Sequence, residues 1–147
     1  PDGTKLLESE TVEAGSEPVV AEAPFGTLGL SVCYDLRFPE LYRRLVDAGA
    51  IALAIPAAFT LTTGKDHWHV LLRARAIEQQ CYVLAAAQTG HHYGKRRSYG
   101  HALIADPWGT VLAECGEGEG VAVAEIDPAY VKQVRAAVPS LAHRTLR

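Results

Sequence analysis

Two runs of this chain are apolar at consecutive positions, without alternation: Ile51-Ala52-Leu53-Ala54-Ile55, and Tyr82 through Ala87 up to Gln88. A strand with one wet face alternates polar and apolar residues, whereas an unbroken apolar run must be covered on both faces. Each run therefore predicts a central strand, Ile51 to Ile55 and Tyr82 to Gln88, in a sheet layered on both sides. Ahead of and between these runs the period becomes helical. Pro39 opens a helix at the position where its missing N–H does no harm, and Gly49 stops it. Leu41, Leu45 and Ala48 form its apolar stripe, with Arg43 and Arg44 in reach of Asp47. A longer helix is predicted from an Asp66 cap to about Gln80, with Val70, Ala74, Ile77 and Cys81 on one face.

The remaining segments follow from turn residues. Residues 1–18 read as loop, Val19 to Ala23 as a strand, Pro24 to Thr27 as a turn and Leu28 to Val32 as a strand that ends at Cys33. Residues 56–65 read as a loop, as does Thr89 to Arg97. Tyr99 to Ala105 and Val111 to Glu114 form a hairpin about Asp106-Pro107-Trp108-Gly109-Thr110, and Val121 to Ile126 is a further strand. Asp127 followed by Pro128 starts a last helix that runs to about Val138. The class is α/β. Strands covered on both faces ask for more layers than so short a chain supplies, so either more of the domain or a second chain is expected against them.

Composition narrows the function classes. The net charge is -3, and the one basic cluster, Lys95-Arg96-Arg97, is too short for a nucleic-acid face. The longest apolar stretch, Ala48 to Ala58, is broken by Gly49 and Pro56 and falls short of the roughly 20 residues that span a bilayer. Neither nucleic acid nor membrane is expected as a partner. Three cysteines cannot all pair within one chain, and Cys81 and Cys115 read as inert thiols, which suits a reducing, cytoplasmic setting. The chain starts at Pro1 without a methionine and runs into loop-like sequence, so an N-terminal portion is expected to be missing.

Cys33 is the candidate for chemistry. A cysteine between a buried strand and a helix sits on a sharp turn, where its sulfur projects into a cleft and backbone N–H groups can face an oxyanion. Arg37 can favour the thiolate or hold an anionic substrate, and Asp35 can orient Arg37. From residue types alone, a buried structural cysteine beside an Arg–Asp pair is an equal alternative. His67 and His69 are two apart and share no helix face, so a joint metal site is not expected.

The segment Cys33-Tyr34-Asp35-Leu36-Arg37-Phe38-Pro39-Glu40 resembles the nucleophile signature of the nitrilase superfamily of carbon-nitrogen hydrolases. Pro56-Ala57-Ala58-Phe59, His67-Trp68, Arg73-Ala74-Arg75-Ala76-Ile77-Glu78, Ser98-Tyr99-Gly100-His101 and Asp106-Pro107-Trp108-Gly109 follow in that family's order. Leu71 to Gln88 is most similar to the branch that includes deaminated-glutathione amidase. The resemblance implies an α-β-β-α sandwich, of which residues 1–147 are a single partial domain, and a homodimer or higher homo-oligomer. It implies hydrolysis of a small linear amide to acid and ammonia through a thioester on Cys33, with no metal or organic cofactor. Tyr34 would lend its backbone N–H to the oxyanion, and Glu8 matches a second glutamate of the pocket. Arg37 would meet a substrate carboxylate, and Ala57, Ala58 and Phe59 would line the pocket. Glu78 would pair with an arginine inside the fold. His69 departs from the glutamate common there in relatives. Lys5 lacks the context of the family's catalytic lysine, which, with the first glutamate of the triad, would lie upstream.

Three alternatives stay open beside this one: an ω-amidase, an N-carbamoyl amino acid hydrolase or a nitrilase of the same superfamily. A non-catalytic fragment or interaction module is a fourth. If the triad is incomplete in residues 1–147, that chain expressed alone should hydrolyse deaminated glutathione far more slowly than a full-length enzyme. Two missing groups worth about 2.7 kcal/mol or more each exceed a tenfold loss by a wide margin. Parallel assays check this, and rates within about tenfold of each other would count against the triad argument.

Overall fold

The computed structural model describes residues 12–146, so Lys5 and Glu8 lie outside the described residues. In chain order the elements are β1 (Val19–Ala23), β2 (Gly26–Leu30), a 3-10 turn (Cys33–Arg37), α1 (Pro39–Asp47), β3 (Ala52–Ala54), α2 (Leu61–Gln79) and β4 (Tyr82–Ala85). There follow β5 (Thr89–His91), β6 (Arg97–Tyr99), β7 (Leu103–Ala105), β8 (Val111–Glu114) and α3 (Pro128–Ala137).

The two unbroken apolar runs lie side by side as β3 and β4, parallel, with Leu53 opposite Val83. Parallel neighbours need a crossover, and α2 supplies it; α1 does the same between β2 and β3. β1 folds back on β2, and β7 and β8 extend the other side antiparallel, giving one six-stranded sheet in the order β1-β2-β3-β4-β7-β8.

Successive side chains of each strand face opposite ways. Leu53, Val83, Ala85, Leu103 and Ala105 pack under Tyr42, Leu45 and Val46 of α1 and Trp68, Leu72 and Ala76 of α2, forming the main core. On the other face Ala52 and Tyr82 are covered by Val131 of α3. That cover is local. Leu30, which shares this face through its pairing with Ala54, is 38% exposed, and Val19 opposite it is 55% exposed.

The α/β class and the limits of β1 and β8 agree with the sequence reading, but several details differ. Of the implied α-β-β-α sandwich, this chain carries one β layer with α1 and α2 packed on it. Among the described residues six share one sheet, and the second is only the β5–β6 hairpin. The short β1–β2 and β7–β8 connections keep each new strand beside its predecessor, which extends the existing sheet. The predicted 89–97 loop thus holds β5, the hairpin turn at 92–96 and the start of β6, and the predicted Tyr99–Ala105 strand is broken by positive φ at Gly100 and His101. Val121 to Ile126 forms no strand, and Val121 and Val123 are exposed.

Helix details differ too. α1 buries Tyr42, Leu45 and Val46, Leu41 packs half-buried against the same core while Ala48 is exposed, and Asp47 pairs with Arg144 rather than with Arg43 or Arg44. α2 starts after Thr60, not at Asp66, and buries Trp68, Leu72, Arg75, Ala76 and Gln79 while leaving Val70 and Ile77 exposed. Its first turns, Leu61-Thr62-Thr63-Gly64, look like loop because a mid-helix glycine is a poor helix former. Packing explains the glycine. A Cβ on Gly64 would stand 2.3 Å from Tyr99 Cβ and 2.5 Å from its Cγ, atoms that no rotation of the ring moves away.

Gly64→Ala therefore has a diagnostic sign. Propensity alone would stabilise an exposed helix by about 1 kcal/mol, whereas overpacking here is expected to destabilise by about 1–3 kcal/mol. Thermal unfolding should show a lower Tm for the variant, and a raised Tm would contradict the contact.

Candidate active site

The site is built where β2 leaves the sheet. Past Leu30 the chain stays fastened to the exit of β3. The Ser31 N–H and hydroxyl both donate to Ala54 O, at 3.1 and 3.0 Å, and the Cys33 N–H donates to Pro56 O at 2.8 Å. The Ser31 hydroxyl also meets the Tyr42 hydroxyl at 2.9 Å. Burial pushes the Tyr42 phenol up to about 12, against the pull of Ser31, so Tyr42 stays a neutral hydrogen-bonding group.

At Cys33 the backbone turns sharply, with φ at +49°. Non-glycine residues enter the left-handed region rarely, and at a cost of about 1–2 kcal/mol. The 3-10 turn that follows is closed from both ends. The Val32 N–H donates to Asp35 Oδ2 at 2.8 Å, and the Asp35 N–H donates to Val32 O at 3.0 Å. Asp35 thus shapes the elbow and does not hold Arg37, as the sequence reading had it. At the far end, buried Arg75 donates from Nε and Nη2 to Leu36 O at 3.2 and 2.8 Å. Its Nη1 pairs with Glu78 at 3.0 Å, as expected for Glu78.

Cys33 itself is half-buried against the main core, while Val32, Tyr34 and Phe38 around it are exposed. The Cys33 and Asp35 N–H groups are committed to Pro56 O and Val32 O, whereas the Tyr34 N–H finds no acceptor among the described residues. Arg37 Nη1 donates to His67 Nδ1 at 3.2 Å, and its guanidinium carbon lies 5.1 Å from the centre of the Phe59 ring. Phe59 rests in turn on Trp68, with ring centres 4.9 Å apart. Ala57 continues the sheet register past β3, donating to Ala86 O and accepting from Gln88 N–H, both at 2.9 Å. Cys33, Tyr34, Arg37, Ala57, Ala58 and Phe59 therefore lie on segments that leave the C-terminal ends of β2 and β3 side by side. Glu8 lies outside the described residues.

Sequence reasoning missed Ser31, Tyr42 and Arg75, whose long-range partners no spacing shows. It also missed a cluster on the other side of α2. Glu114 Oε1 lies 2.8 Å from both His69 Nε2 and His101 Nδ1. Partial burial draws the Glu114 carboxyl upward, but the hydrogen bonds and charges of the two histidines outweigh it and hold it below the usual carboxylate range. Its stabilising contribution is complete above that range and is lost as the pH falls through the lowered value.

The profile of the carbon-nitrogen hydrolase family matches residues 1–136. The deaminated glutathione amidase of Synechocystis sp. is 60% identical over 146 residues, covering 98% of this chain and 54% of that protein. The crystal structure of the Caenorhabditis elegans NitFhit protein superposes with a TM-score of 0.92 at 53% identity, covering 99% of this chain and 35% of that one. Saccharomyces cerevisiae Nit3, described as a member of branch 10 of the nitrilase superfamily, superposes with a TM-score of 0.87 at 39% identity, covering 95% of this chain and 51% of that one. The chain belongs to the carbon-nitrogen hydrolase family. It spans about half the length of the curated Synechocystis relative.

The three free thiols differ in setting. Burial pushes the Cys81 thiol up to about 12, with Arg135 opposing weakly, so it holds almost no thiolate at neutral pH. Iodoacetamide followed by peptide mapping should modify Cys33 ahead of Cys81 and Cys115. First labelling at either of the other two would remove the ground for singling out Cys33.

Proposed function

We propose that the protein hydrolyses a small linear amide through a thioester on Cys33, with deaminated glutathione as the substrate. The observation that carries this reading is Cys33 in the left-handed region at the end of β2, on a turn fastened at both ends. A strained elbow that is braced so firmly is a means of presenting one side chain, and a thiol there is a nucleophile. The substrate follows from the name of the Synechocystis relative.

In the proposed reaction a general base takes the Cys33 proton as Sγ attacks the amide carbon. Glu8, 25 residues before Cys33, is proposed as a member of the carboxylate set. The carbonyl oxygen becomes an oxyanion, which the Tyr34 N–H stabilises by a hydrogen bond worth a few kcal/mol. Collapse breaks the C–N bond, and the leaving nitrogen takes a proton from the general acid. Water then adds to the thioester and gives its proton back through the same carboxylate, releasing the acid and the Cys33 thiol. Arg37 meets a carboxylate of the substrate, and the Ala57-Ala58-Phe59 segment forms an apolar wall beside it.

Glutathione is a tripeptide, so its deaminated form carries the scissile amide between an acid and an amine. The leaving group is then a peptide amine and not the ammonia expected from the sequence, since among amides only a primary one releases ammonia. That distinction separates the reading from an ω-amidase, which takes primary amides of 2-oxo acids. A homo-oligomer is part of the same proposal, supported by the exposed apolar face at Val19 and Leu30. So is a cytoplasmic setting, supported by three free thiols.

Cys33→Ala should abolish turnover, and Cys33→Ser should lower kcat by at least about a thousandfold. In a panel of deaminated glutathione, 2-oxo acid amides, N-carbamoyl amino acids and nitriles, the first should show the highest kcat/KM, with release of amine. A Cys33→Ala protein with normal rates sinks the nucleophile; a preference for a primary amide or nitrile sinks the substrate alone.

A further inference from the structure

His69, His101 and Glu114 come from α2, from the β6–β7 connection and from β8, and their side chains converge at one point. We propose that these three residues form a binding site for a divalent transition-metal ion of the zinc class.

The donor set argues first for the ion. Two imidazole nitrogens and one carboxylate oxygen suit zinc, cobalt or nickel, whereas magnesium and calcium take oxygen ligands. Three protein ligands leave a fourth position for water. Geometry is the second argument. His69 Nε2, His101 Nδ1 and Glu114 Oε1 all lie within 4.8 Å of one another, and each nitrogen is 2.8 Å from the oxygen. Tetrahedral bonds of about 2.0–2.2 Å place ligand atoms about 3.3 Å apart, within that range. An ion can therefore enter through side-chain adjustment alone.

The ligands are also held from behind. His101 sits in the left-handed region with φ at +59°. Its carbonyl accepts the Trp68 indole N–H at 2.7 Å, and its ring stacks on Tyr99 with centres 4.3 Å apart. The three side chains remain 31%, 21% and 34% exposed, so an ion can reach them from solvent. Capture replaces two N–H···O contacts. Each imidazole carries its proton on the other nitrogen and turns the freed lone pair to the ion, while the carboxylate binds as the anion. His67, two residues before His69, points to Arg37 and takes no part.

Such an ion would clip α2 to β8 and to the β6–β7 connection, and it would sit beside Trp68. Both consequences can be measured. The protein is prepared without a histidine tag, stripped with EDTA, freed of chelator and titrated with Zn²⁺ by calorimetry. The expected result is saturable binding of one ion per chain, retained after iodoacetamide has blocked the accessible thiols, together with a raised Tm. His101→Gln and Glu114→Gln should each weaken binding by at least about tenfold. His69→Gln serves where circular dichroism shows that either variant has not folded. In a Trp108→Phe protein, Ni²⁺ should quench the remaining Trp68 emission with the same saturation, and the ligand variants should remove that quenching. No saturable binding overturns the proposal. So does binding that alkylation abolishes, or binding that survives unchanged in every folded ligand variant. None of these readouts depends on amide hydrolysis, so the site and the proposed activity stand or fall separately.

Discussion

The buried guanidinium of Arg75 is the interaction on which the rest of the site hangs. A charge taken out of water costs several kcal/mol unless its hydrogen bonds are replaced. Arg75 is 4% exposed, and it meets that demand with the Leu36 carbonyl, the Glu78 carboxylate and the face of the Tyr42 ring, 5.5 Å from the guanidinium carbon. Each partner belongs to a different structural role. Leu36 ends the elbow, Tyr42 is the core residue of α1 that meets Ser31, and Glu78 lies one turn along α2. One cation thus fixes the elbow relative to both crossover helices. Its replacement by an apolar residue would leave a carbonyl buried without a donor, at a cost of about 1–3 kcal/mol, and would free the elbow at one end.

The arrangement also explains why chemistry gathers at this edge. β2, β3 and β4 are parallel, so the chain leaves all three at the same side of the sheet. Cys33 follows β2, and Ala57 to Phe59 follow β3. Ala86 and Gln88, which follow β4, pair with Ala57. In open α/β sheets ligands bind beyond the carboxyl ends of the strands, because there the loops converge while the strands stay rigid. Arg37 joins this edge through Phe59 and His67, residues supplied by the next connection and the helix after it.

How much of this was legible in the sequence depends on how local the cause is. β1, β8 and α3 are set by turn and cap chemistry a few residues away, such as the Asp127 carboxylate accepting the Ala129 N–H at 2.7 Å, and their limits could be read. Cys33 at a strand end was equally local. The start of α2 was not, because Gly64 is required by Tyr99, which lies across the fold. The buried face of α2 was misread because it contains Arg75 and Gln79, polar residues that an apolar count passes over. Val121 to Ile126 alternates like a strand, yet no strand among the described residues pairs with it, and pattern cannot supply a partner. The meeting of His69, His101 and Glu114 depends on packing between elements far apart in the chain, so no spacing marks it.

The positive φ at Cys33 sets stability and reactivity against each other at one residue. Glycine is the side chain that this backbone favours, and Cys33→Gly would relieve the conformational strain as it deletes the thiol. A search for stabilised variants of this chain by heat alone would thus be drawn toward losing the sulfur, unless each round also retained a demand for the thiol's chemistry.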